Sequence, residues 1–367
     1  MRDPIGWWTG LERPFRHLPR GVAITVLALL VAAMAWSGFS MVPGDEPTEI
    51  LEIADEDLEE GDGDLALYER ISDRVIAGEN YYAAAMDEQR AGNYPTKPFV
   101  TVRLPTLAML HSWIGRDAFG IVLLLGLPAA ILLLMAQLTG KVAPSERVGA
   151  GIAMLLGGAG LIIPDAPLIH EVVAGLLLSL ALAIYRPDRW WPALIFAAMA
   201  LAIREIAAPF VLLWLAFAVA EKRWKEALAV AALLITFAVG MYLHYLGVEA
   251  QRLPGDVASQ GWDALAGPIL PLTALSLLTI LLVLPPWLAA PIAILPLMGW
   301  IGMGHRLGLF AALWFGGFFT AMALFARPEN FYWVQLTLPV YLAGLALAPR
   351  AIADLLASGR GKSERHS

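Results

Sequence analysis

The chain contains no cysteine, so disulfides, thiolate metal sites and thiol nucleophiles are excluded together. Charge is scarce as well: only 16% of its 367 residues are Asp, Glu, Lys or Arg, and 59% are hydrophobic. A soluble domain of this length has too little interior to hide that much apolar surface, which places the chain among multi-span membrane proteins. What charge there is falls unevenly. Between Gly44 and Arg90 stand 16 acids against three bases, Arg70, Arg74 and Arg90. This stretch carries −13 against −7 for the whole chain, so the remainder is +6. An acidic loop outside and basic helix ends inside is the pattern that orientation by cytoplasmic Lys and Arg leaves. Nothing in it favours nucleic acid.

Long apolar runs, by contrast, are plentiful. The first follows Arg2, Arg13, Arg16 and Arg20, with Trp7, Trp8 and Phe15 as interfacial rings, and extends from Val22 to Val42. A run of about 20 apolar residues matches a spanning helix and exceeds a signal-peptide core, and no small-residue cleavage site follows. The basic flank predicts a cytoplasmic N-terminus and a retained first helix within residues 1–42. Residues 43–116 then form an extracytoplasmic loop. Its first part, Pro43–Glu60, is acidic, with Ile50, Leu51, Ile53 and Leu58 at loosely helical spacing, and reads as a solvated face. Its second part, Gly61–Pro105, holds carboxylates, tyrosines, a lysine and an arginine in a fixed order, and the chemistry is expected there. Pro98–Gly115 is apolar but short and broken by Arg103, Pro105 and His111, and is expected to lie in the interface, with a true span as the alternative.

Residues 117–349 supply the helix bundle. Spans are expected over Ala118–Leu138, Val148–Ile163, Leu168–Tyr185, Ala227–Leu246, Leu307–Phe325 and Val334–Ala348. Trp191–Ala220 has Arg204 and Glu205 at its middle. Left mid-span, each charge would cost about 2.5–3.5 kcal/mol, so a turn at Arg204 between two short helices is expected. The basic clusters after Leu138, Tyr185 and Ala220 then share the inner side. Pro271, Pro285, Pro286, Pro291 and Pro296 break the stretch after Leu265 into pieces that suit one span or two. The basic tail, residues 350–367, is expected in the cytoplasm. The predicted fold class is an all-α polytopic membrane protein of about ten transmembrane helices, with short helices in the first loop.

Within that loop, Asp64 and Tyr68 are followed by Gly78-Glu79-Asn80-Tyr81-Tyr82, then Tyr94-Pro95-Thr96-Lys97-Pro98, then Arg103 before an apolar helix. Asp64 also stands where a carboxylate caps a helix after Gly61 and Gly63, and Asp62 is equally placed to do so. The ordered set resembles the first extracytoplasmic loop of the GT-C superfamily of integral-membrane glycosyltransferases. The likeness is detailed over the first third of the chain and is otherwise only a train of helices. It implies a GT-C-like fold, a polyprenyl-phosphate sugar as donor and Asp64 as catalytic carboxylate, with Asp62 as the alternative. It further implies substrate contacts by Tyr68, Tyr82, Tyr94, Lys97 and Arg103, in a bacterial inner membrane with the site facing the periplasm. Some members carry two adjacent acids here; Leu65 follows Asp64, and neither a metal nor a cofactor is expected.

Further along, Asp165, His170 and Glu171 stand at a helix start where GT-C proteins often carry an acid or histidine. They are candidates for substrate binding, or for knitting helix ends together. Arg204 and Glu205 resemble the pair such proteins place at the next outer turn. An arginine there either holds the donor phosphate or forms an internal ion pair with Glu171 or Glu205. Arg327 and Asn330 offer donors for sugar hydroxyls and phosphate, whereas Tyr332 and Trp333 read as interfacial belt residues. His111, His244 and His305 lack metal-ligand spacing. The expected activity is inverting transfer of a hexosyl or pentosyl unit to an extracytoplasmic glycolipid, polysaccharide or protein. Buried Arg/Glu pairs and proline-broken helices also mark transport paths, so the alternative is a transporter or flippase of a lipid-linked or anionic solute. A scaffold subunit of an envelope polysaccharide machine is the third reading.

Overall fold

The computed structural model describes residues 4–41 and 63–361, so Asp62 and the acidic stretch Pro43–Glu60 lie outside the described residues. Among the described residues the secondary structure is helical throughout, and an isolated bridge between Lys97 and Ala258 stands in place of any sheet. The first long helix is α1, Arg20–Ser40; the polar segment holds α2, Asp64–Ile76, α3, Tyr81–Ala91, and α4, Thr106–Ile114. The bundle continues with α5, Arg116–Leu138, α6, Pro144–Gly157, α7, His170–Ile184, α8, Trp191–Ile203, and α9, Ala208–Ala220. It closes with α10, Trp224–Glu249, α11, Ile269–Leu277, α12, Pro286–Met303, α13, His305–Phe325, and α14, Gly344–Gly359.

Six of these elements are long and apolar enough to cross a membrane: α1, α5, α10, α12, α13, and α14 together with the turn that leads into it from Val340. Only 17% of the apolar window is buried in α1 and again in α10. Leu29, Val31 and Phe39 on α1, and Leu228 and Ile235 on α10, are exposed. Apolar faces that long need hydrocarbon around them, so this is an all-α membrane protein. The helix α7 is the opposite case, buried on every side from His170 to Ala183. A helix that is hydrophobic all round belongs inside, and α5, α8 and residues 328–337 pack around it.

Some boundaries move from those the sequence suggests. Helix α6 stops at Gly157 and hands over to a 3-10 turn, because Gly157 and Gly158 weaken helix where Val148–Ile163 reads as one run. Residues 334–343 are 3-10 turns and α14 starts only at Gly344, since Pro339 in their midst has no N–H to give a helix. At Arg204 the backbone is extended, φ −143° and ψ 114°, and divides α8 from α9 as expected. Helix α4, nine residues, rises only about 13 Å and is too short to span.

The bundle has two distinct ends. At one, the termini end, where residues 11–13 meet residues 305 and 354, Leu11 O accepts from the His305 N–H at 3.0 Å, Arg13 Nε donates to Asp354 at 2.8 Å, and Arg306 Nε donates to Glu221 at 2.9 Å. At the other, the loop end, α2 buries Leu67, Ile71 and Val75, spaced by four, against α3, α4 and Val248 of α10. Asn80 caps α3 by accepting from the N–H groups of Tyr82 and Ala83. His111 fastens this layer: its Nε2 donates to Pro167 O at 3.1 Å, which leaves Nδ1 to accept from Ser72 Oγ at 2.9 Å.

Candidate active site

Asp64 is the first residue of α2, yet it is not the cap, which is Gly63. Its carboxylate turns instead to side chains. Tyr68, one turn on, donates to Oδ2 at 3.5 Å, and Tyr94 donates as well. The same Tyr68 oxygen accepts from Arg103 Nε at 2.9 Å, so one phenol links the acid to a guanidinium. Arg103 also lies over the Tyr68 ring at 5.6 Å, and its own carbonyl accepts from the Tyr81 hydroxyl at 2.6 Å. Its Nη2 donates to the Tyr332 hydroxyl at 3.0 Å and comes within 3.8 Å of Glu171.

Glu171 then accepts from Arg204 Nε at 2.6 Å, and Arg204 pairs with Glu205 and lies over the Trp333 ring at 6.0 Å. Both side chains of the Arg204–Glu171 pair are 2% exposed, which is tolerable only because each charge has a partner. His170 places its ring edge-on to Tyr68, 5.1 Å between centroids, and its buried Nδ1 has no hydrogen-bond partner. A void of about 20 Å³ touches Tyr68, Arg103 and His170, room for about one water.

Local sequence explains the convergence. Asp64 and Tyr68 share a helix face by their spacing of four. Arg204 reaches inward because the chain breaks there. Tyr332 and Trp333 reach the cluster because Gly175, one turn below Glu171 on α7, has no Cβ: one added there would collide with the carbonyl of Gln335. Burial pushes the Asp64 carboxyl above its ordinary value; Arg103 pulls it down and Glu171 pushes it further up. Burial holds the Tyr68 phenol well above its ordinary value, so it remains a donor.

The structure therefore gathers Asp64, Tyr68, Tyr94, Arg103, His170, Glu171, Arg204 and Glu205 at one place. The remaining sequence candidates sit elsewhere. Tyr82 packs on the His244 ring at 5.6 Å and closes on Gly247. The Lys97 backbone pairs with Val257 and Ser259. Asp165 is exposed, beside a groove that Arg116 and Glu69 border. Arg327 donates to Gly261 O at 2.9 Å and to Gln260, while Asn330 Oδ1 accepts from the Arg327 N–H at 3.3 Å. Arg327 fastens the loop after α10, and neither it nor Asn330 joins the cluster, whereas Tyr332, read from sequence as a belt ring, does. Tyr81 joins it too; a second tyrosine beside a helix cap carries no signal of its own. Among the described residues no group of His, Asp and Glu is arranged to hold a metal ion. Comparison with protein-family models, curated proteins and solved structures finds no match.

With Asp64 ionised, Arg103 and Arg204 face Asp64, Glu171 and Glu205, one acid in excess. The cluster thus pairs a carboxylate of raised proton affinity with two desolvated guanidiniums, a combination suited to taking a proton near a bound anion.

Proposed function

We propose that the protein is a polytopic glycosyltransferase of GT-C type that moves a sugar from a polyprenyl phosphate to an acceptor hydroxyl outside the cytoplasm. The Asp64–Tyr68–Arg103 chain carries the reading, because it sets a base one phenol away from a cation. The donor phosphate displaces Glu171 from Arg103, where the contact is long, and Arg204 supports it from behind. Asp64 takes the proton of the acceptor hydroxyl as its oxygen bonds to the anomeric carbon. The bond from that carbon to the phosphate oxygen breaks, and the lipid phosphate leaves with its charge met by the arginines. One displacement inverts the anomeric configuration. No metal or cofactor takes part in this scheme. Because the void is small, α2 moves relative to α4 when a sugar binds.

In this reading the shorter helices complete the crossings. Taking α11 and α12 as one broken passage, α1, α5 to α10, α11–α12, α13 and α14 make about ten. Both termini are then cytoplasmic, and the loop end faces the periplasm across a bacterial inner membrane. The test is sugar transfer from a radiolabelled polyprenyl phosphate by purified protein. Asp64→Asn is expected to lose turnover by at least about 10³-fold, within the range that removal of a general base costs. Full turnover by that variant removes the mechanism. The broken passage, with Pro291 and Pro296 inside α12, is also the kind of element that lines a transport path. Transport of the lipid-linked sugar by proteoliposomes without any bond cleavage would favour that second reading.

A further inference from the structure

A second cavity lies far from Asp64. It holds about 340 Å³ and lies at the termini end, between the ends of α5 and α7, the middle of α9 and the start of α13. Tyr185 on its wall follows the last residue of α7, whereas Glu171 is near the first, which puts the two sites about 20 Å apart along that helix. The inner walls are Leu182, Phe210, Trp214 and Phe310, all buried. Phe210 lies edge-on to Phe310 at 5.0 Å. Two cations, Lys141 and Arg306, line the mouth beside His305.

The charges around the mouth are unequally committed. Arg306 Nε donates to both oxygens of Glu221 at 2.9 and 3.0 Å, and the guanidinium lies over the Tyr185 ring at 4.1 Å. Its Nη2 is buried without a hydrogen-bond partner, 4.0 Å from Glu226. Glu226 is already occupied, accepting from the Tyr185 hydroxyl at 2.9 Å, from Trp214 Nε1 at 2.5 Å and from Arg223. Lys141 has no carboxylate partner among the described residues, and burial lowers its ammonium from its ordinary value. An ammonium without an acid and a guanidinium N–H without an acceptor thus stand over an aromatic slot of ligand-binding size.

We propose that this cavity binds an anionic phospholipid, its phosphate at Lys141 and Arg306 Nη2 and one acyl chain along the wall that Leu182, Phe210 and Phe310 form. A free anion would satisfy the cations but leave the apolar slot unfilled, and a neutral chain would leave both donors unmet. Lys141 follows the end of the membrane-crossing α5, at the level of lipid headgroups. The site is separate from the Asp64 cluster and stands whether or not the enzyme reading does.

The experiment uses full-length protein in nanodiscs carrying trace phosphatidylglycerol or phosphatidylcholine with a diazirine at the acyl terminus, with labelled peptides mapped after irradiation. Phosphatidylglycerol is expected to label the peptides of Leu182, Phe210 and Phe310 at least about fivefold more than phosphatidylcholine, a modest difference in binding free energy. Lys141→Ala should remove the difference, Lys141→Arg should keep it, and Leu182→Trp, which fills the slot, should abolish labelling by either lipid. A thermal melt of each variant shows that it is folded, and phosphatidylglycerol should raise the melting temperature of the parent but not of Lys141→Ala. Equal labelling by the two lipids, labelling indifferent to Lys141→Ala, or loss of labelling when inorganic phosphate is added in excess would each overturn the proposal. The last outcome would mark a soluble-anion site instead.

Discussion

At the scale of single residues, the cluster rests on few atoms. Asp64 gives up part of its hydration and keeps two phenols and the field of Arg103 in exchange. In the proposed reaction the carboxylate must be ionised, so its raised proton affinity sets the acid limb. We expect kcat/KM to rise with pH through a midpoint above that of an ordinary carboxylate, and the limb to vanish in the residual activity of Asp64→Asn. Tyr68→Phe removes a donor that favours the ionised form, so the midpoint should move still higher; a downward move would contradict the assigned hydrogen bond. The same raised value makes protonation of Asp64 favour the fold, a contribution present at low pH and lost as pH rises through the folded value. The Arg204–Glu171 pair is a different matter. Removing one partner strands a buried charge, and Glu171→Gln should lower unfolding stability in detergent by about 3–5 kcal/mol. Arg204→Lys should not restore the wild type, because an ammonium cannot reproduce the fork that meets Glu171 and Glu205 together. Sequence order made Asp64, Tyr68, Arg103, Glu171 and Arg204 legible. Tyr332 was not legible, since it meets Arg103 across 229 residues of chain.

At the scale of elements, two devices hold the loop layer against the bundle. One is a tether: Arg90 on α3 donates to Asp256 at 2.7 Å, and this bond holds the Asp256 carboxyl down to about 2. A depressed carboxylate stabilises above its unfolded value and loses that contribution only as pH falls through the folded one, so the tether should persist well into acid. Asp256→Asn should raise hydrogen exchange in residues 251–260 while leaving α7 unchanged; unaltered exchange in that loop would show that the tether is dispensable. The other device is the bare α-carbon of Gly175. Gly175→Val should push residues 328–337 off α7, cost about 1–3 kcal/mol as overpacking does, and cut transfer by moving Tyr332. Gly240→Ala, where an added Cβ meets nothing within 4 Å, is the neutral control. The break at Arg204 was legible because two charges cannot stay mid-span cheaply. The 3-10 turns before α14 were not, since apolar content alone does not distinguish a turn packed in a protein interior from a helix.

At the scale of the whole molecule, the absence of cysteine gives a clean background for topology. Ser145→Cys sits exposed in the first turn of α6, at the end opposite the loop layer, and Ala258→Cys in the exposed loop after α10. With an impermeant maleimide on intact cells, only Ala258→Cys should label; labelling of Ser145→Cys instead would invert the proposed orientation. The sequence by itself determined the membrane class, the polar first loop and most long helices, because these follow from hydropathy, charge asymmetry and helix-breaking residues read locally. The tertiary structure alone decided that Asp64 faces tyrosines instead of capping its helix, that Tyr332 and not Arg327 joins the cluster, and that a cation-mouthed cavity opens at the far end. Those outcomes depend on close approaches between distant segments, such as the one Gly175 permits, and no local pattern of residue types encodes them.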